Sequence, residues 1–108
     1  MRMKHVSMFR LLPEYRTEAL IEEIVQQLRA LPAKDPTIID CEIGVKPFPA
    51  PTGSPDGAIR FYDLIQIITF ASPEDCMAYP ASRGHREFLA WSHAYFEDVC
   101  GLDYPCGD

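Results

Sequence analysis

Long apolar runs are missing from this 108-residue chain. No stretch reaches the roughly 18 consecutive apolar residues that a membrane-spanning helix needs. Basic charge is scarce and dispersed: ten Lys and Arg stand against sixteen Asp and Glu, a net charge of −6. Polyanion binding draws on clustered cations, so neither nucleic acid nor a membrane is expected as a partner. There is no G-x-G-x-x-G and no phosphate-binding P-loop, which argues against a nucleotide; no cofactor is expected. Cys41, Cys76, Cys100 and Cys106 form no C-x-x-C, and no Cys/His pair has zinc-finger spacing. Free thiols in a reducing compartment are expected, with neither disulfide nor metal. Met1 to His5 is charged but no apolar segment follows, which predicts no signal peptide and a cytoplasmic location. The carboxylates show no pairing that points to glycoside or metal chemistry.

Hydrophobic residues are plentiful at 47%, with 11% aromatics, too many for a disordered chain. At this length about two-thirds of the extended chain's surface can be buried. One domain, residues 1–108, is expected.

Lys4 to Leu12 is rich in strand formers and stops at Pro13. Thr17 offers an N-cap, and Leu20, Ile21, Ile24, Val25, Leu28 and Leu31 recur at three- and four-residue steps, predicting an amphipathic helix closed by Pro32. Ile38 to Val45 alternates as a strand with one drier face. Residues 46–60 hold four prolines and two glycines and read as a loop. Phe61 to Phe70 is the strongest strand. Ser72 and Pro73 open a short helix ended by Pro80. A last helix is predicted from about Ser82 to Asp98, and a last strand from Cys100 to Tyr104. The order β-α-β-β-α-β is ferredoxin-like: an α+β protomer with an antiparallel sheet, helices on one face, and the first and third strands in the centre.

The third strand is apolar on both sides, with Tyr62, Leu64, Gln66, Ile68 and Phe70 on one and Phe61, Ile65 and Ile67 on the other. Both faces must be covered, yet two helices cover only one. A second copy of the chain is the economical cover, so a homodimer is expected.

Three stretches carry a family likeness. Lys4-His5-Val6 with Met8 to Leu11 resembles a K-H-x-x-x-F-[KR] opening. Tyr62-Asp63 ahead of Thr69 to Ser72 resembles a G-Y-D…F-x-S strand. Tyr79, His85 and Asp103-Tyr104 resemble a Y…H-P-x-H…D-Y ending. Over nearly its whole length the chain resembles the stress-responsive A/B barrel domain family, a branch of the dimeric α+β barrel superfamily. The resemblance implies two ferredoxin-like protomers closing one barrel. Its plant polyketide cyclases pair a histidine base with a tyrosine at the spacing that Phe70, Tyr79 and His85 keep here, and the first-strand histidine matches His5. The chain departs from the pattern at Ser82-Arg83-Gly84, where the first His and the Pro are missing, at Phe61 for a glycine, and at Leu64, where those cyclases carry a further histidine.

The residues support similar chemistry on their own. His85 falls in the first turns of a helix on its apolar side, where burial and the helix N-terminus disfavour imidazolium. A neutral imidazole is a competent base for a carbon acid flanked by carbonyls. Tyr79, biased from helical geometry by Pro80, could donate to the enolate oxygen. His5 would support, and Phe9, Tyr62, Gln66, Phe88, Leu89 and Trp91 would line the pocket. The bland reading of each is ordinary core, and of His93 a surface position. The expected function is a cofactor-independent cyclase or lyase on a polyketide-like β-dicarbonyl small molecule. A non-catalytic stress-responsive or ligand-binding dimer, and a cofactor-free monooxygenase or haem-binding barrel, are the alternatives.

Overall fold

The computed structural model describes residues 1–47 and 49–107; Phe48, within the expected loop, and Asp108 lie outside them. Four strands, β1 (Arg2–Leu11), β2 (Ile38–Val45), β3 (Leu64–Phe70) and β4 (Phe96–Gly107), form one sheet in the order β2-β3-β1-β4. Every neighbouring pair is antiparallel. Four helices accompany it: α1 (Glu18–Arg29), α2 (Leu31–Lys34), α3 (Pro73–Ala78) and α4 (Arg83–Ser92). The chain thus has the ferredoxin-like α+β fold, with β1 and β3 central.

Local chemistry explains the helix starts. The Thr17 hydroxyl accepts from the Leu20 N–H at 3.2 Å, Ser72 from Asp75 at 3.1 Å and Ser82 from His85 at 3.3 Å. Each cap satisfies an amide that has no partner inside its helix. Helix α1 buries Ile21, Ile24, Val25 and Leu28 as its spacing requires. It ends at Ala30, and Pro32 sits at the start of α2 rather than closing α1, because the first turn has no use for the N–H that proline lacks. The helical residues pack on Phe9 and Leu11 of β1 and on Leu64, Ile68 and Phe70 of β3 to form the core.

Two boundaries depart from the sequence reading. The last helix stops at Ser92, whose hydroxyl donates to the Phe88 carbonyl at 2.7 Å, and residues 93–95 make a single 3₁₀ turn. Phe96 to Asp98, expected as helix, begin β4. The long β1 offers partners in register from Leu11↔Phe96 to Arg2↔Gly107, and sheet pairing overrides a local helical pattern. Pro105 is tolerated inside β4 because β4 is an edge strand. The third strand begins at Leu64 rather than Phe61.

Asp63 explains that late start. Its side chain is 0% exposed. One oxygen accepts from the Leu11 N–H at 2.8 Å, Arg16 Nε lies 3.1 Å from the other, and Lys46 Nζ lies 3.3 Å away. This knot ties the end of β1, the end of β2 and the entry to β3. The loop before it is held too: Arg10 Nη1 donates to the carbonyls of Thr52 and Phe61, and Gly53 bridges Arg60.

The sheet's second face is apolar and, among the described residues, carries no helix. Val6 pairs with Ile67 and Leu102, and Met8 with Ile65 and Cys100. Leu102 is 65% exposed. The two-sided character of β3 is therefore real: Gln66, Ile68 and Phe70 are buried under the helices, while Ile65 and Ile67 point to the open face. Among the described residues no helix is long and apolar enough to cross a membrane.

Candidate functional site

Tyr79, His85 and His5 meet on the helix side of the sheet. Tyr79 lies in the 3₁₀ turn between α3 and α4, and His85 in the first turn of α4. The Tyr79 ring centroid is 4.8 Å from that of His85, 5.3 Å from His5 and 5.4 Å from Phe70, all edge-to-face or tilted. Tyr79 takes helical dihedrals, φ −55° and ψ −44°, against the expectation from Pro80. The preference before proline is overridden because Tyr79 continues the α3 turn, accepts from the Ser82 N–H at 2.9 Å and buries its ring almost completely.

Hydrogen bonds assign the proton positions. Nδ1 of His85 lies 3.0 Å from the Pro80 carbonyl oxygen. A carbonyl only accepts, so neutral His85 carries its hydrogen on Nδ1 and Nε2 is the basic nitrogen. Burial lowers the His85 pKa from its ordinary value; the Pro80 carbonyl opposes this, and the nearby His5 adds to it. Burial likewise pushes the Tyr79 phenol well above its ordinary pKa, against a hydrogen bond with Gln66. The site at neutral pH is thus an uncharged imidazole beside a protonated phenol.

His5 is fully engaged. Nδ1 lies 2.6 Å from Asp103 Oδ1 and Nε2 lies 3.1 Å from Ser7 Oγ. Asp103 fixes the Nδ1–H tautomer, and the Ser7 hydroxyl then donates to Nε2. This makes His5 a positioning group rather than a free base. Asp103 entered the sequence reading only as part of a two-residue motif. Its signal was the register His5↔Asp103 between β1 and β4, which a single sequence displays only once the sheet order is fixed.

The expected lining residues divide. Gln66 is buried beside Tyr79, with its amide 4.0 Å from Cys41 Sγ. Phe9 and Phe88 are buried 6.0 Å apart, and Phe96 stacks 5.0 Å from Phe9. Trp91 is half-buried between Phe88 and Tyr95. Leu89 is 40% exposed; the buried stripe of α4 is Gly84, Phe88 and Ser92, and the residue after Phe88 is turned about 100° away. Tyr62 lies apart from the cluster, its hydroxyl donating to Asp98, which pushes its pKa up to about 12. His93 is exposed, as expected.

A hollow of about 640 Å³ lies elsewhere, beneath the 46–60 loop at the open sheet face. Met8, Val45, Pro51, Phe61, Tyr62 and Ile65 line it, with Lys46 and Arg60 at its rim; His85, Tyr79 and His5 do not. Ala50 and Pro51 of the long loop thus border a space on the opposite side of the sheet from His5 and His85.

Solved structures share this architecture. A protein from Arabidopsis thaliana is 22% identical over 98% of this chain and 96% of its own, with a TM-score of 0.78. A dimeric ferredoxin-like protein of unknown function from Thermobifida fusca is 21% identical over 98% and 92%, with a TM-score of 0.77. The hydroxynitrile lyase from Passiflora edulis is 20% identical over 99% and 94%, with a TM-score of 0.75. No curated protein matches the chain. The family description that matches, over residues 3–106, is the stress responsive A/B barrel domain. With a helix-backed four-stranded sheet, an uncovered apolar face and a match over nearly its full length, this chain belongs to the stress-responsive A/B barrel domain family.

Proposed function

We propose that the protein is a cofactor-independent lyase or cyclase that makes or breaks a C–C bond in a small molecule whose reacting carbon lies beside carbonyl groups, and that it works as a homodimer. The observation that carries this is the pairing of a neutral His85, with Nε2 as its basic nitrogen, against a Tyr79 phenol held protonated. His85 Nε2 takes the proton from the acidic carbon. Tyr79 donates to the oxygen on which the enolate charge collects. In ring closure the enolate carbon attacks a second carbonyl carbon of the same molecule; a C–C bond forms, and the new alkoxide recovers the proton from His85. Cleavage is the reverse. A hydroxynitrile lyase of the same fold supports the lyase class.

A linear β-polyketide carrying alternate carbonyls is the substrate to test, with formation of the cyclised product followed against the uncatalysed background. Tyr79→Phe keeps the ring packing and removes one donor to the developing oxyanion, so turnover should fall by about 10²-fold. Absence of enzyme-dependent product with the native protein, or equal turnover with Tyr79→Phe, overturns the proposal. The hollow beneath the 46–60 loop favours a second reading, a ligand-binding dimer without chemistry, which predicts saturable binding unaffected by His85→Ala.

The homodimer rests on the open face of Val6, Met8, Ile65 and Ile67 and on the dimeric Thermobifida fusca relative. Light scattering at micromolar concentration should give about twice the protomer mass of 12.3 kDa. Ile67→Lys, placing a charge at the centre of that face, should shift the mass toward the protomer while leaving the helix-side core intact. A native protein of protomer mass removes the reason for the apolar face.

A further inference from the structure

Cys76 is buried in α3, but not among apolar groups alone. Its thiol lies near the Asp103 carboxylate, the same carboxylate that holds His5. One donor atom each from His5, Cys76 and Asp103 lies within 4.8 Å of the others. The three come from β1, α3 and β4, nearly a hundred residues apart at the extremes, and only the fold brings them together. We infer that His5, Cys76 and Asp103 form a binding site for a borderline-soft divalent cation of the zinc type.

The donor set suits such an ion. An imidazole nitrogen, a thiolate sulfur and a carboxylate oxygen are its ordinary ligands, and three protein ligands with an open fourth position make a recognised coordination pattern. Tetrahedral donors at ordinary bond lengths stand about 3.3–3.8 Å apart. His5 Nδ1 and Asp103 Oδ1, now 2.6 Å apart, would separate by about 1 Å, a small side-chain rotation. The entry side is open: the Asp103 side chain is 47% exposed and that of His5 18%. The cation would take the places of two protons, one on His5 Nδ1 and one on Cys76 Sγ, leaving the thiolate neutralised by the metal. The site lies on the helix side of the sheet, so a partner docked on the opposite face leaves it accessible. The inference does not depend on the lyase reading, and its test uses no substrate.

Cobalt(II), added to the full-length metal-free protein, reports thiolate ligation through a near-ultraviolet charge-transfer band. The expected result is that band, saturating at one cobalt per chain and bleached by added zinc. Cys76→Ser should abolish the band and weaken zinc binding at least about tenfold, since a hydroxyl is a harder and poorer donor. Asp103→Asn, at a partly exposed position on an edge strand, tests the site without disturbing the core and should also weaken binding. Cys106→Ser, which removes a thiol outside the cluster, should leave it unchanged. No thiolate band in the native protein, or a band that survives Cys76→Ser and is lost in Cys106→Ser, overturns the inference.

Discussion

Replacing His85 with alanine should lower turnover on a β-dicarbonyl substrate by about 10²–10⁴-fold, the range that a positioned general base contributes. Packing gives no reason for so large a loss. His85 is only half-buried, its main-chain amide is capped by Ser82 whatever its side chain, and the buried stripe of α4 is carried by Gly84, Phe88 and Ser92. The variant should therefore keep its secondary structure and thermal midpoint. Two readouts separate a lost base from a lost contact. Free imidazole should restore part of the activity of His85→Ala, because the void lies beside Tyr79. The pH profile of kcat/KM in the native protein should rise as the base deprotonates and then level off. Since burial lowers the His85 pKa, the midpoint of that limb should fall below the ordinary imidazole value of 6.5, so the enzyme keeps its activity into mildly acidic solution. A midpoint above that value, or full activity in His85→Ala, removes His85 from the chemistry.

How far the sequence led depends on which forces set each feature. Helix α1 was legible because its cap and its apolar stripe are both local, and the structure buries the residues that the spacing singles out. The two-faced β3 was legible because period-two alternation shows directly which residues share a side. The start of β4 was not. Phe96 and Val99 fall on a helical wheel with Phe88, and nothing local reports that a ten-residue β1 waits to pair with them. Tyr79 misled for a similar reason, since the rule for residues before proline is a preference and burial of a whole phenol ring outweighs it. The spacing from Tyr79 to His85 crosses one tight turn and so translated directly into ring contact. The partners of His5 did not translate, because Asp103 and Cys76 reach it through sheet order and helix docking. The hollow bordered by Ala50 and Pro51 was invisible to any reading by composition: proline and glycine announce a loop, not the space beside it.

The largest structural effect is expected at Asp63. Breaking a buried ion pair by removing one partner typically costs about 3–5 kcal/mol, because a charge is left without compensation. Here the carboxylate is the fully enclosed member, and Arg16 and Lys46 keep some contact with water at 15% and 18% side-chain exposure. Asp63→Ala leaves those two cations partly solvated, so its cost should sit near the lower end, about 3 kcal/mol. It also strips the Leu11 N–H of its acceptor. For a domain of this size the thermal midpoint should fall by roughly 10 °C or more. Arg16→Ala should destabilise as well, since it leaves the enclosed carboxylate to Lys46 and a single amide. In the Asp63→Ala background the same change should cost much less, because its partner is already gone. Additive losses in that double-mutant cycle, or a midpoint for Asp63→Ala within a degree or two of native, would mean that the knot joining β1, β2 and β3 is held by its backbone hydrogen bonds and not by the charge at its centre.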